Sequence, residues 1–346
     1  MNKLIGFHKA TSSYINSMSI ITKEETKIWK KKLLQGIITQ NFIYYCIYLK
    51  NFSFKYSDIF INKNIYPFFN SSSCSIIKYS KYDDRYILNI RCVNYYLNLI
   101  GNSSIVDKNN ICFTSNFILI LDKNFNILYK NKLMPDISDS KYVGIEDIRL
   151  FNFRDKIYYI GSTFDKITNK IKITSSEFNL DKNYEVNLIN PTFKTDFNWE
   201  KNWVFFENNE EMFIIYKWYP IQICKIDYNK KELNIIKEIN VPDIFYNFRG
   251  STNGVLFNNR IWFIIHSQIE IDEKKHYFHR FVVLNKDLTI YGYSKMFKFE
   301  NYIVEFCIGM ELTYKNNFVI TYSTLDSTTK LCVIFVKSIE KLLILV

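Results

Sequence analysis

The segment Gly144-Ile145-Glu146-Asp147-Ile148-Arg149 sets two carboxylates and a guanidinium at the head of an otherwise apolar run. A carboxylate beside a guanidinium suits two kinds of chemistry: proton transfer as a general acid, or the binding of hydroxyl groups. Which one it performs depends on whether burial or the neighbouring cation governs its ionisation. The same pair also serves structurally, as a salt bridge between packed strands. If the run is a strand, alternation sends Asp147 and Arg149 to one face and Glu146 to the other. A second segment, Phe248-Arg249-Gly250-Ser251-Thr252-Asn253-Gly254, is small, polar and glycine-flanked. Backbone amides in such a loop can approach an anion closely, and Arg249 adds charge, so a phosphate or sugar-phosphate oxygen suits it. An ordinary tight turn has a similar composition. His266 closes the apolar run that follows, and Trp203 and Trp218 offer ring faces either for a sugar or for core packing. His276 and His279, three positions apart on a strand, face opposite ways, and no Cys/His/Asp set has metal-ligand spacing. No metal is expected, and neither a P-loop, a dinucleotide fingerprint nor a Gly-x-Ser-x-Gly elbow is present.

These residues recur at corresponding places in a repeated element. Five runs, each a turn followed by an apolar strand and a closing polar residue, end at Arg91, Ser162, Lys217, His266 and Ser323. Upstream of each lies an element of different composition: Asn70 to Ile76, Gly144 to Arg149, Lys201-Asn202-Trp203, Phe248 to Thr252 and Glu305 to Gly309. Further hairpins between them turn at Asp122-Lys123-Asn124, Asp181-Lys182-Asn183, Asp227-Tyr228-Asn229 and Asn285-Lys286-Asp287. Two hairpins per repeat make four strands, and a recurrence about every 50 to 70 residues predicts an all-β, five-bladed β-propeller over residues 68–346. The polar residues then converge on one axial funnel containing Arg91, Asp147, Arg149, Lys217, Arg249, His266 and Glu305, with Gly250 and Gly309 exposing backbone. Residues 1–67 differ. Thr22-Lys23-Glu24-Glu25 reads as a capping box, and Glu25 to Gln40 has helical spacing, so a short N-terminal helical extension is expected, a candidate for homo-oligomer contacts.

Composition narrows the class. The 346 residues, 48% of them hydrophobic, are enough to bury a large core. With Gly (9) and Pro (5) scarce, the turns fall to Asn, Asp, Lys and Ser. A net charge of +11 raises the question of a polyanion partner, but most Lys stands beside Asp, Asn or Glu at hairpin tips, which argues against nucleic acid. Seven cysteines without a CxxC pair, and an N-terminus without a secretory pattern, point to a reducing, cytoplasmic setting. The uncharged stretch Leu33 to Leu49 is too short and too polar for a membrane span.

Taken in order, Gly144 to Arg149, Lys201-Asn202-Trp203, Arg249-Gly250-Ser251-Thr252, the strand ending at His266, and Ile320 to Asp326 resemble the motifs of mannoside phosphorylases and β-1,2-mannosyltransferases. The resemblance spans residues 68–337. It implies a five-bladed propeller that makes or breaks β-mannoside linkages as a glycosyltransferase or inverting glycoside phosphorylase, with sugar and sugar-phosphate substrates. In that family's terms Asp147 is the general acid or proton relay, Arg91, Arg149 and Asp326 hold sugar hydroxyls, and His266 with Arg249 contacts phosphate. Glu146, Trp203, Lys217 and Glu305 join the substrate-binding candidates, and Ser251 and Thr252 join the phosphate-binding ones. Inorganic phosphate or a sugar phosphate is then a co-substrate, and neither cofactor nor metal is called for. The chain departs from the family at Ile148 (usually Pro), at Tyr216-Lys217 (commonly His-Arg) and at Asn247 (a basic residue in phosphorylases), and its Arg-Gly-Ser-Thr form looks closer to the transferase branch. The alternative from another functional class is a catalytically silent propeller that binds glycan or another anionic partner through the same funnel.

Overall fold

The structure, a computed structural model, describes residues 37–52, 60–61, 64–65, 69–79, 84–98, 101–106, 109–133, 142–180, 199–271 and 274–346. It is built almost wholly of β-strand. Among the described residues, the repeats seen in the sequence correspond to five mainly antiparallel sheets of three or more strands. The first sheet contains Asn70–Lys78, Tyr86–Val93, Cys112–Leu121 and Ile127–Leu133; the second, Glu146–Phe153, Lys156–Asp165 and Lys170–Phe178. The third runs Val204–Asn208, Glu211–Trp218, Ile221–Asp227 and Glu232–Ile239. In the fourth, the short strands Arg249–Gly250 and Val255–Phe257 pair with Arg260–Ile271, which pairs with Lys274–Asn285 and, through it, Ile290–Ser294. The fifth holds Glu305–Leu312, Phe318–Thr324 and Thr328–Ile334.

All five closing residues of the sequence repeat, Arg91, Ser162, Lys217, His266 and Ser323, lie on the strand that pairs with the first strand of a sheet. The first strands touch in a cycle: Asn70–Lys78 meets Glu146–Phe153, then Val204–Asn208, Val255–Phe257 and Glu305–Leu312 follow, and the last meets Asn70–Lys78 again. Apolar side chains fill the layers between sheets, as where Leu88 and Leu119 pack with Val319 and Leu331. Several polar groups in these layers pair across sheets, which offsets the cost of removing them from water. Thr321 Oγ1 donates to the carbonyl of Cys74 (2.5 Å), Asn152 Nδ2 to Lys78 (2.6 Å) and Asn253 Nδ2 to Leu150 (2.8 Å).

Within the N-terminal region, Ile37–Asn41 and Cys46–Phe52 are strands. The helix expected over Glu25 to Gln40 lies outside the described residues except at its end, where Ile37–Asn41 is a strand, parallel to Met296–Lys298. Any oligomer contact through that helix likewise falls outside them. Cys46–Phe52 is also a strand, pairing antiparallel with Thr328–Ile334 as the outermost strand of the fifth sheet. Cys46–Phe52 therefore supplies the outer strand of the last repeat. The physical reason is that Thr328–Ile334 would otherwise leave an unpaired edge. Phe52, 4% exposed, packs among Val319, Leu331 and Val333.

Candidate functional site

At one end of the first strands, three register shifts occur: between Ser71 and Cys74, between Glu146 and Arg149, and between Cys307 and Gly309. At the second of these Asp147 takes a left-handed conformation, φ 53°. A bulge of this kind re-aims side chains that strict alternation would separate. Glu146 and Asp147 accordingly share one cation rather than facing opposite ways. Arg91 donates from one terminal nitrogen to Asp147 Oδ1 (3.1 Å) and from the other to Glu146 Oε1 (3.2 Å). Ser73 Oγ donates to the same Asp147 oxygen (2.9 Å), and Lys201 Nζ donates to Glu146 Oε2 (2.5 Å). Burial pushes the Glu146 carboxyl up, but Lys201 and Arg91 outweigh it and bring it down to about 2. Burial works against the charge on Arg91, while Tyr95, Glu146, Asp147 and Asp326 hold it protonated.

Arg149 does not turn its fork to the Asp147 carboxylate. Its Nε donates to the carbonyl of Ser251 (2.6 Å), one terminal nitrogen to the carbonyl of Asp147 itself (3.0 Å), and the other to Asn202 Oδ1 (3.3 Å). It therefore fastens the second sheet to the polar loop of the fourth. That loop pairs Arg249 with His266 across the strands, and Ser251 Oγ shares a hydrogen bond with His266 Nδ1 at 2.9 Å. Burial, then Arg249, His279 and Arg149, hold the His266 imidazole well below its ordinary range, so it is neutral. Tyr277 stacks parallel to it, 6.1 Å between ring centres, and Phe306 closes edge-on at 5.0 Å. Burial, then Asp326, push the Tyr277 hydroxyl up to about 12 despite Arg249, so it stays a hydrogen-bond donor. Asp326 accepts from Ser72 Oγ (2.7 Å) and Tyr95 OH (3.0 Å). The arrangement sets an acidic, guanidinium-shared face beside a cationic loop with a neutral imidazole. It can exchange a proton at one point and hold an anion at another.

Arg91, Glu146, Asp147, Arg149, Arg249, Ser251, His266 and Asp326 thus gather at one end of the sheets. Other candidates are engaged elsewhere. Glu305 is fully buried and accepts from the backbone amides of Phe299 (2.5 Å), Glu300 (2.9 Å) and Tyr302 (2.8 Å). It stitches the approach to its own strand rather than facing a substrate. Trp203, 1% exposed, stands edge-on to Tyr216 in the core of the second and third sheets, where no sugar face is open. Lys217 lies over the Tyr216 ring at 5.5 Å. Thr252 is buried, and its Oγ1 accepts from the Ile264 amide (2.9 Å). Ser72, Ser73, Tyr95, Lys201 and Tyr277 also stand at this end, though the sequence does not single them out as site residues. The serine run and Lys201 belong to repeated motifs and were within reach, whereas Tyr95 and Tyr277 carry no sequence signal. A separate cavity of about 230 Å³, lined among others by Lys78, Asn152, Glu207 and Glu311, lies at the opposite ends of the same strands.

Among the described residues no group of three or more His, Cys, Asp or Glu could hold a metal ion, and no helix is long and apolar enough to cross a membrane. All seven cysteines are free thiols. No family model matches the chain, and no curated protein matches it in sequence. Solved structures do. A β-1,2-mannobiose phosphorylase from Listeria innocua, in complex with β-1,2-mannobiose, overlays with a TM-score of 0.57 at 11% identity, over 85% of this chain and 98% of that one. At this identity the shared property is the fold. A GDP-Man-dependent mannosyltransferase from Leishmania mexicana (TM-score 0.48, 11% identity, 77% of this chain and 85% of that one) scores lower. So does a mannose phosphorylase from the same organism in complex with phosphate ion (0.46, 10%, 78% and 84%).

Proposed function

We propose that the chain is a five-bladed β-propeller enzyme acting on β-mannoside-type linkages, as a glycosyltransferase or inverting glycoside phosphorylase. The observation that carries this is the juxtaposition of Asp147, held by Arg91 and Ser73, with the Arg249-Ser251-His266 group tied to it by Arg149. The cyclic contact of the five first strands and the fold shared with a mannobiose phosphorylase support the architecture. In the breaking direction a phosphate oxygen held by the cationic loop forms a bond to the anomeric carbon while the glycosidic C–O bond breaks. The bond's electron pair leaves with the glycosidic oxygen, which takes a proton that the incoming phosphate releases and Asp147 relays, directly or through a sugar hydroxyl. In the making direction the acceptor oxygen bonds to the anomeric carbon while the bond from that carbon to phosphate, or to a nucleoside diphosphate, breaks with its electron pair on the departing group, and the acceptor's proton passes to Asp147. Arg91 and Asp326 hold sugar hydroxyls in this scheme, and the neutral His266 adds a hydrogen bond without further charge. Incubation with mannose 1-phosphate, with GDP-mannose, and with β-1,2-mannobiose plus phosphate, followed by chromatography of sugars and sugar phosphates, tests it. Absence of any glycosidic product or sugar phosphate in all three sinks the proposal.

One observation favours the second reading, a catalytically silent propeller that binds glycan or another anion. Tyr216-Lys217 stands where the family it resembles commonly has His-Arg, and Lys217 lies over the ring of Tyr216. Calorimetric binding of mannose or phosphate without turnover across the same donors would select it.

A further inference from the structure

Arg280 is a buried guanidinium that the proposed chemistry does not use. It stands on the strand Lys274–Asn285 of the fourth sheet, opposite Ile265 and one residue beyond His279, and is 1% exposed. One terminal nitrogen donates to the carbonyl of Ile244 (3.3 Å), and Nε finds no hydrogen-bond partner. The group stands between two rings, 4.9 Å from the centre of Phe248 and 5.3 Å from that of Tyr293. No carboxylate pairs with it among the described contacts, and burial brings it down to about 10. A cation held in an apolar cluster on one carbonyl and two ring faces costs stability relative to a hydrocarbon of the same length.

What it touches gives that cost a purpose. Ile244 belongs to the turn Asp243–Phe245, and Phe248 immediately precedes Arg249. Arg280 therefore grips the loop on the side leading into Arg249-Gly250-Ser251. The other side is gripped by Arg149, whose Nε reaches the Ser251 carbonyl. Between the two grips the backbone has little slack. Phe248 N donates to the Phe245 carbonyl (3.1 Å), and Asn247 is left-handed at φ 65°. A Cβ on Gly250 would meet the carbonyl of Asn202 and the Val204 side chain.

We infer that Arg280 is a positioning residue: with Arg149 it clamps the loop that presents Arg249 and Ser251, so the anion half of the site is set before any ligand arrives. The inference rests on the proposed function for its purpose, but not for its test. Such preorganisation spares a ligand the entropy of ordering the loop. It is also the kind of place where a fold retains a destabilising group because the site needs it.

The test uses the full chain with Arg280→Met, which keeps length and apolar contact, Arg280→Lys, which keeps charge without the planar fork, and Phe248→Leu, which removes one ring. Thermal unfolding and hydrogen exchange by mass spectrometry are measured without ligand. Arg280→Met is expected to unfold at the wild-type temperature or above it. Amides of residues 243–252 should exchange about tenfold faster or more, while those of Ile221–Asp227 and Thr328–Ile334 stay unchanged. Arg280→Lys should recover part of the protection, and Phe248→Leu should move the loop in the same direction as Arg280→Met. Unchanged exchange over 243–252 in Arg280→Met overturns the inference. So does a fall in unfolding temperature with faster exchange throughout the fourth sheet, because Arg280 would then support the fold at large. Where turnover is established, Arg280→Met should raise KM for the phosphate-bearing substrate and change kcat little. A wild-type protein without turnover counts against the proposed function and leaves the exchange result to decide this one.

Discussion

Asp147 combines a strained backbone with the most directly testable chemistry in the molecule. Its left-handed φ lies in a region that Asn adopts as readily as Asp, and Asn can still accept from Ser73 Oγ. Asp147→Asn is therefore expected to stay folded, with Arg91 still paired to Glu146, and to lose turnover by about 10² to 10⁴. Full activity in that variant would remove the acid assignment. His279 allows a test that needs no substrate. It is fully buried against Phe297 and Phe299, neither ring nitrogen has a partner, and burial followed by Lys298 bring its imidazole down to about 3. A folded-state value below the unfolded one means that the unfolded chain binds the proton first. Stability is complete above the ordinary value of 6.5 and falls as pH drops from there toward about 3. His266, also depressed, adds the same sign. His279→Leu should flatten the decline in unfolding temperature between about pH 6.5 and 5 by roughly half, leaving the His266 share, as read from thermal melts across that range. A slope equal to wild type would show that His279 does not titrate with unfolding. At this scale residue type was informative. An Asp beside an Arg and a glycine-flanked Arg-Gly-Ser were legible as chemistry from spacing alone. Glu305 was not, because a carboxylate that accepts three backbone amides and one that faces a substrate look alike in sequence.

Strand alternation held along most of each element and failed at the ends where the site lies. Alternation separates Glu146 from Asp147, yet both reach Arg91, because the register shift adds a residue between Glu146 and Arg149. Ser72 and Ser73, adjacent in the chain, likewise both reach carboxylates, Asp326 and Asp147. Bulges leave no fixed sequence signature, so the facing of these side chains was beyond reading. Glycine placement is more readable. Gly250 lies where the third and fourth sheets meet, and an added Cβ would stand 2.7 Å from Val204 Cγ1 as well as against the carbonyl of Asn202. The backbone carbonyl cannot rotate away, so Gly250→Ala should push the strand Arg249–Gly250 off His266 and cost about 1–3 kcal/mol. Denaturant melts, with the chemical shift of the His266 ring as a local monitor, would show both effects. An unperturbed His266 signal would mean that the loop absorbs the methyl group elsewhere.

Over the whole molecule, the last sheet takes its outer strand from the beginning of the chain. Phe52 is buried among residues of the first and fifth sheets, while Leu49, three residues earlier on the same strand, is 41% exposed. If that strand is integral to the fold, Phe52→Ala should cost about 3–5 kcal/mol, as a core phenylalanine does. Leu49→Ala should change stability by less than about 0.5 kcal/mol in the same denaturant titration. Near-equal, small effects would return residues 46–52 to the status of an appendage. The amino-acid sequence by itself determined the all-β character, the five repeats, the strands on which their polar residues fall, and the Asp147 and Arg249 motifs. These follow from local propensity, short-range periodicity and residue type, which neighbours along the chain suffice to express. Only the tertiary structure decided that Cys46–Phe52 completes the fifth sheet, that Arg149 serves a loop about a hundred residues away rather than its neighbour's carboxylate, and that Lys201, Tyr95 and Tyr277 belong to the site. Edge pairing, bulge-directed facing and the sharing of a buried cation depend on which distant groups compete for the same partner, and no local pattern records that competition.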